Sequence, residues 1–195
     1  MGKPSSSLSV VLAAILAAML LACAAARGQD PASSTDHPAG NVNELTLAAL
    51  RPGVATLTRA QHQYGPHWTH PSADEQDLSI WCDAARHLQL SLETNGQGVV
   101  QAIMVERTQL QAGCTAVLPA STAVTGRGLR LGDGIARAKE IYGKPFFEGP
   151  SLWQGHDVAL VVFNFSWAGS NKPQILECSF LEGRLVKLTL SAEYY

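Results

Sequence analysis

Three histidines lie close together in the first half of the chain, His62, His67 and His70, with Asp74 and Glu75 following them. Neutral imidazoles beside carboxylates are the residue types that hold zinc or copper. No other cluster in the chain has that look. Its spacing works against the chemistry, because Gly65-Pro66 ends any helix between His62 and His67. Pro71-Ser72-Ala73 then reads as a solvated loop, so neither a metal nor a cofactor is expected. A second stretch, Gly126 to Gly134 (GRGLRLGDG), precedes a helix start, where anions can bind. Its glycines do not follow GxGxxG and Asp133 would repel a phosphate, so a turn with two exposed arginines is expected instead. There is no GxSxG, HExxH or P-loop, and no carboxylate pair has a reason for a perturbed pKa. The chain is not expected to be an enzyme.

What remains is aromatic. Trp68, Trp81, Trp153 and Trp167, with Tyr194 and Tyr195, are many for a core of this size. Trp81 and Trp167 fall in strand-like runs and are read as core. Trp68 and Trp153 follow the two short helices described below and are the candidates for a partner-binding surface, since Trp gives much contact at little entropy cost.

The elements that position these residues read as one unit written twice in the sequence. Leu50-Arg51-Pro52-Gly53 returns as Leu129-Arg130-Leu131-Gly132, and Leu57-x-x-Ala60-x-x-x-Tyr64-Gly65-Pro66 returns as Ile135-x-x-Ala138-x-x-x-Tyr142-Gly143-Lys144-Pro145. Gly98 to Ile103 then lies over Arg184 to Thr189, at an offset of 86. Such self-similarity reads as duplication. In the second copy Asp133 is the expected N-cap of a helix running from Gly134 to Tyr142. Gly143 supplies a left-handed stop and Pro145 prevents resumption.

Each helix is too short to stand alone and must lie on a sheet. Leu88, Leu90 and Leu92 alternate with polar residues, Asn95 to Gly98 turns the chain, and Val100, Ala102 and Met104 are expected to return on the buried face. Leu176, Cys178 and Phe180 lead likewise through Glu182-Gly183 to Val186, Leu188 and Leu190. A strand precedes each hairpin, Leu78 to Cys82 and Val158 to Trp167, the latter apolar on both faces and so expected in a central or doubly covered position. The expected fold class is α+β: two tandem helix-plus-three-stranded-meander repeats, joined into a six-stranded antiparallel sheet with the helices on one face. The corresponding boundaries are 1–26 for an export signal, 27–43 for a flexible tether, 44–107 and 129–193 for the repeats, and 108–128 for a linker.

The chain has 195 residues, 46% hydrophobic and 15% charged, with 14 Lys and Arg against 16 Asp and Glu. That composition supports a packed core and disfavours disorder. A net charge of −2 gives no basic field for nucleic acid. Lys3, the apolar run from Leu8 to Leu21 and the small residues Ala22 to Ala26 have the layout of an export signal. The run falls short of the roughly 20 residues of a spanning helix. Cleavage can follow Ala24-Ala25-Ala26, or Leu20-Leu21-Ala22-Cys23 can act as a lipobox with Cys23 lipidated. The product would be periplasmic or secreted, touching a membrane only through such an anchor. Export makes disulfides possible. Cys178 alternates with Leu176 and Phe180 and is read as a buried small hydrophobe, which leaves Cys82 and Cys114 as the expected bridge.

The Leu-Arg-x-Gly turn, the short helix ending Tyr-Gly-x-Pro and the meander after it resemble the exported modules of the SmpA/OmlA (BamE-like) type and the tandem-repeat β-lactamase-inhibitor proteins. The best matching elements are Leu129 to Gly132 and Ile135 to Pro145. The resemblance implies a protein that binds other proteins and carries no catalytic residues. The function expected is therefore an exported, non-catalytic protein-binding or scaffold module of the bacterial cell envelope. The alternative is a proteinaceous inhibitor of a secreted or periplasmic hydrolase.

Overall fold

Leu88, Leu90 and Leu92 are each buried, with Gln89 between them and Glu93 after them half-buried, while Ser91 is buried on the opposite face. They belong to β3 (Leu88–Thr94), one of eight antiparallel strands that make a single sheet in the computed structural model. The model describes residues 45–70, 78–108, 114–165 and 173–192. The signal, the tether, Cys23, Asp74, Glu75, Trp167, Tyr194 and Tyr195 lie outside the described residues. The other strands are β1 (Trp68–His70), β2 (Leu78–Asp83), β4 (Val100–Arg107), β5 (Phe147–Trp153), β6 (His156–Phe165), β7 (Gln174–Leu181) and β8 (Arg184–Ala192). Their order is β1-β2-β3-β4-β8-β7-β6-β5. Helices α1 (Leu57–Tyr64) and α2 (Ile135–Tyr142) have eight residues each, and a short 3-10 turn spans Ala120–Ala123.

This corrects the expected fold class. The chain is dominated by one eight-stranded antiparallel sheet, not by two helix-plus-three-stranded-meander α+β repeats on six strands. The two strands the sequence concealed are the outer ones. β1 is too short to show alternation, and β5 contains Gly149-Pro150, which reads as loop but is tolerated at a sheet edge. The doubly apolar β6 is second from one edge; the central pair is β4 and β8.

Both return strands carry a bulge that sequence alternation could not show. Glu93 pairs with Ala102 but Thr94 with Val100, leaving Gln101 unopposed. Ser179 pairs with Lys187 but Phe180 with Leu185, leaving Val186 unopposed. One extra residue turns every later side chain to the other face. Ile103 and Val105 therefore face the core beside Val100, and Ala102 and Met104 face the opposite side. The core face then runs through directly opposed Trp81, Leu90, Val105, Leu188, Cys178 and Val161. The same register aligns Val100 with Leu185 in hydrogen-bonding role, an offset of 85 and not 86.

The Leu-Arg-x-Gly turns tie into those bulges. Gly53 N–H donates to the Val100 carbonyl (2.7 Å) and Val100 N–H to Ala55 (2.9 Å). Gly132 N–H donates to Leu185 (2.8 Å) and Leu185 N–H to Asp133 (2.9 Å). Gly53 and Gly132 have φ of 77° and 94°, a left-handed backbone that glycine adopts without strain. Leu50 and Leu129 are fully buried beneath them. In the second turn Gly134, not Asp133, is the N-cap, and the Asp133 carboxylate accepts from Arg130 N–H (2.8 Å) to close the turn. Of the two arginines expected to be exposed there, Arg130 is, whereas the half-buried Arg127 lies over the Tyr142 and Phe165 rings (5.8 and 6.0 Å).

Each helix meets the core face through its last residue. Tyr64 packs on Trp81 (5.9 Å between ring centroids), and Tyr142 on Phe163 (5.3 Å) and Phe165 (5.7 Å). Tyr64 O–H donates to the Ala48 carbonyl and Tyr142 O–H to Thr125 Oγ1 (2.6 Å). Both helices stop at glycines with φ of 81°. Among the described residues between the halves, Leu118 is buried, Ala116 N–H donates to Cys82 O (3.0 Å), and Cys114 is disulfide-bonded to Cys82. Cys178 is free and buried.

Burial pushes Tyr64 and Tyr142 each up to about 12 from the ordinary 10.0. The folded phenols stay protonated where the unfolded ones ionise, so their stabilisation is full below pH 10 and lost as pH rises from about 10 to 12. Urea midpoints should fall over that window, and Tyr142→Phe should flatten the fall. A midpoint independent of pH there would contradict this environment for the two hydroxyls.

Candidate functional site

The face opposite the helices carries one continuous row. Trp68 on β1 is opposed by Ile80, then Ser91, Met104, Thr189, Glu177 and Val162, and the row ends at Phe147 on β5. It crosses all eight strands and mixes apolar, hydroxyl and acidic side chains. Its two ends are exposed aromatics, Trp68 at 53% and Phe147 at 47%. Phe146 beside it is 77% exposed. Five of the eight residues are apolar, and Ser91, Thr189 and Glu177 are interspersed among them; exposed aromatics at both ends of such a mixed row are an arrangement by which surfaces engage another macromolecule.

The face is not flat. Trp153, at the far edge, donates its indole N–H to Glu106 Oε2 (2.8 Å) on central β4. Four strand spacings would separate β5 from β4 by about 19 Å in a flat sheet, well beyond the reach of an indole. The end of the β5–β6 hairpin therefore curls over this face. Gln154 Nε2 reinforces the curl by donating to the Arg107 carbonyl (3.3 Å). Open-face residues Val158 and Ser179 are buried even though they lie away from the helices.

Trp68 and Trp153 do not occupy equivalent places. Trp68 opens β1, two residues after Pro66, whereas Trp153 closes β5 and is held by Glu106. The residue in the place of Trp68 is Phe147, two residues after Pro145. Sequence reasoning missed it, although counting from the two prolines would have found it. Phe147 lies over Gly149, where an added Cβ would meet the tip of its ring at 2.7 Å.

Beside Trp68 is a cavity of about 390 Å³ lined by His67, Trp81, the disulfide and Val117. His67 lies against Trp81 with the rings tilted at 40° (5.1 Å between centroids), and its Nδ1 lies 3.3 Å from Gln61 Nε2. Trp81 is buried, and its indole donates to the Gly65 carbonyl (2.9 Å). His62 is exposed on α1, on the far side of the helix stop from His67. Among the described residues no group of three or more His, Cys, Asp or Glu side chains is arranged to hold a metal ion. The side chain of His70 is not described. Burial pushes the Cys178 thiol well above its usual range, so it is protonated and a poor nucleophile.

No protein-family model matches the chain, and no curated protein matches it significantly. A solved structure of a DUF4309 family protein, YjgB from Bacillus subtilis, is similar over 77% of this chain and 88% of that one, at 10% identity and a TM-score of 0.44. That is a different family from the SmpA/OmlA and inhibitor proteins the sequence resembles.

The two tryptophans should separate in stability measurements. Trp153→Phe removes a hydrogen bond to a carboxylate and should cost about 1–2 kcal/mol in urea unfolding. Trp68→Ala, at an exposed edge, should change stability by less than about 0.5 kcal/mol. Equal losses would contradict the placement of one as structural and the other as available.

Proposed function

We propose that the protein is an exported, non-catalytic protein-binding or scaffold module of the cell envelope, and that its partner seats on the open sheet face between Trp68 and Phe147. The observation that carries this reading is the eight-residue row across that face with exposed aromatics at both ends. The helices cover the other face and the β5–β6 hairpin end covers only part of this one, so its exposed ends at Trp68 and Phe147 are what a partner would meet. Along its middle Ile80, Met104 and Val162 alternate with Ser91, Thr189 and Glu177, a mixture of apolar and polar groups between aromatic anchors that is common among non-obligate complexes. Export is supported by the layout of residues 1–26, and the Cys82–Cys114 bridge is consistent with an oxidising compartment. Gene duplication is supported by the paired glycine ties, the paired bulges and the paired tyrosine–aromatic contacts. The resemblance of Leu129 to Gly132 and Ile135 to Pro145 to SmpA/OmlA-type modules points the same way.

Affinity capture from envelope extract with the processed protein tests this. A defined partner should be retained, and Trp68→Ala together with Phe147→Ala should weaken it by about thirtyfold or more, the effect of losing a hot spot. Arg137→Ala, at an exposed helix position on the other side, should leave capture unchanged. A captured hydrolase whose activity falls on binding would identify the inhibitor alternative. Capture indifferent to the two aromatic substitutions would overturn the proposed face.

A further inference from the structure

Three hairpin ends meet where β4 finishes. His87 closes the β2–β3 turn, Arg107 ends β4, and Trp153, Gln154 and His156 form the β5–β6 turn, with Leu181 at the end of β7 beside them. Between them is a cavity of about 410 Å³, within the range of small-molecule sites. Its charged and titratable lining is one guanidinium and two imidazoles, with no carboxylate in the wall. Arg107 is exposed and forms no ion pair among the described residues. The adjacent acid, Glu106, is engaged by the Trp153 indole and lies directly opposite Lys187. The remaining walls are the Trp153 ring system and Leu181.

The position of His87 adds a second observation. Its φ of 52° is a left-handed conformation in which glycine is the unstrained choice. Ala48, Ala49, Gln154 and Glu182 share that conformation, which marks tight turns in this chain; what the turn does here is set the His87 imidazole at the wall of the cavity. On the opposite wall, Gln154 (φ 49°) is fixed by its hydrogen bond to the Arg107 carbonyl, so the two sides of the cleft are joined.

We propose that this cleft binds a carboxylate carried on an apolar body, the acid group meeting Arg107 with His87 and His156 around it and the body lying against Trp153 and Leu181. A planar guanidinium suits a carboxylate through two parallel hydrogen bonds, and the indole supplies an apolar wall that a bare inorganic anion would not use. The inference does not depend on the partner reading above, because it concerns the hairpin ends and a small ligand.

The probe is 1-naphthaleneacetate, titrated into the processed protein while the indole N–H resonance of Trp153 is followed, assigned by its loss in Trp153→Phe. A saturable shift is expected, with the neutral 1-naphthaleneacetamide binding about tenfold or more weakly. Arg107→Gln and His156→Gln, both at exposed positions, should each weaken binding, Arg107→Gln by about tenfold or more. His87→Gly should lose affinity while the melting temperature rises by about 2 °C, since strain is relieved. Equal binding of acid and amide, unchanged affinity in Arg107→Gln, or no shift of the Trp153 resonance would overturn the proposal. So would inorganic phosphate at matched ionic strength displacing the probe as well as its own kind, since that marks a simple oxyanion site.

Discussion

Everything in this molecule depends on the pairing of β4 with β8. Ala102 to Glu106 lie antiparallel against Lys187 to Ser191, and this seam joins two four-stranded meanders into one sheet. Without it each meander would expose a central-quality edge: Ile103 and Val105 on one side, Leu188 and Leu190 on the other, with unpaired backbone beside them. With it, the core face is continuous from Trp81 to Val161 and the open face is continuous from Trp68 to Phe147. One joint thus creates both the core and the surface proposed to bind. A second, smaller joint lies in front of the helices, where Gly126 N–H donates to Thr46 O (2.8 Å) and Leu47 bridges Thr125.

The Leu-Arg-x-Gly turn gains a physical meaning from this arrangement. It is neither a phosphate loop nor simply a lead-in to a helix. Its leucine plugs the core, and its left-handed glycine frees an amide that ties the turn to the start of the return strand, at Val100 in β4 and Leu185 in β8. The bulge then falls one residue later and sets which side chains of β4 and β8 face inward. In both halves the same three parts occur in the same order.

What was legible in the sequence were the features carried by strong local signals. The two helices end where Tyr-Gly-x-Pro says they must, the strand from Leu88 alternates as expected, and the turns at Asn95 to Gly98 and Glu182-Gly183 are where glycine and asparagine mark them. The Cys82–Cys114 bridge also followed from the surroundings of Cys178. The fold class did not follow, because it rests on the outer strands. β1 has three residues, too few for periodicity, and β5 contains a proline that only an edge position excuses. The inward set of β4 was misread because a bulge leaves no mark on alternation. Trp68 and Trp153 both follow a helix in the chain, but it is Phe147 that opens its strand two residues after the proline as Trp68 does, while Trp153 ends β5 where the hairpin curls. Long-range pairing, not local propensity, governs each of these.

Native-state hydrogen exchange addresses the seam most directly. If β4 and β8 form the joint on which both halves depend, the amides of Ile103, Val105, Leu188 and Leu190 that bond across or beside it will exchange only through global unfolding, with the same free energy as the most protected amides of β3 and β7. Two distinct free energies, one for each half, with the β4 and β8 amides exchanging at the lower, would mean that the halves open separately and that no single sheet face exists for a partner to meet.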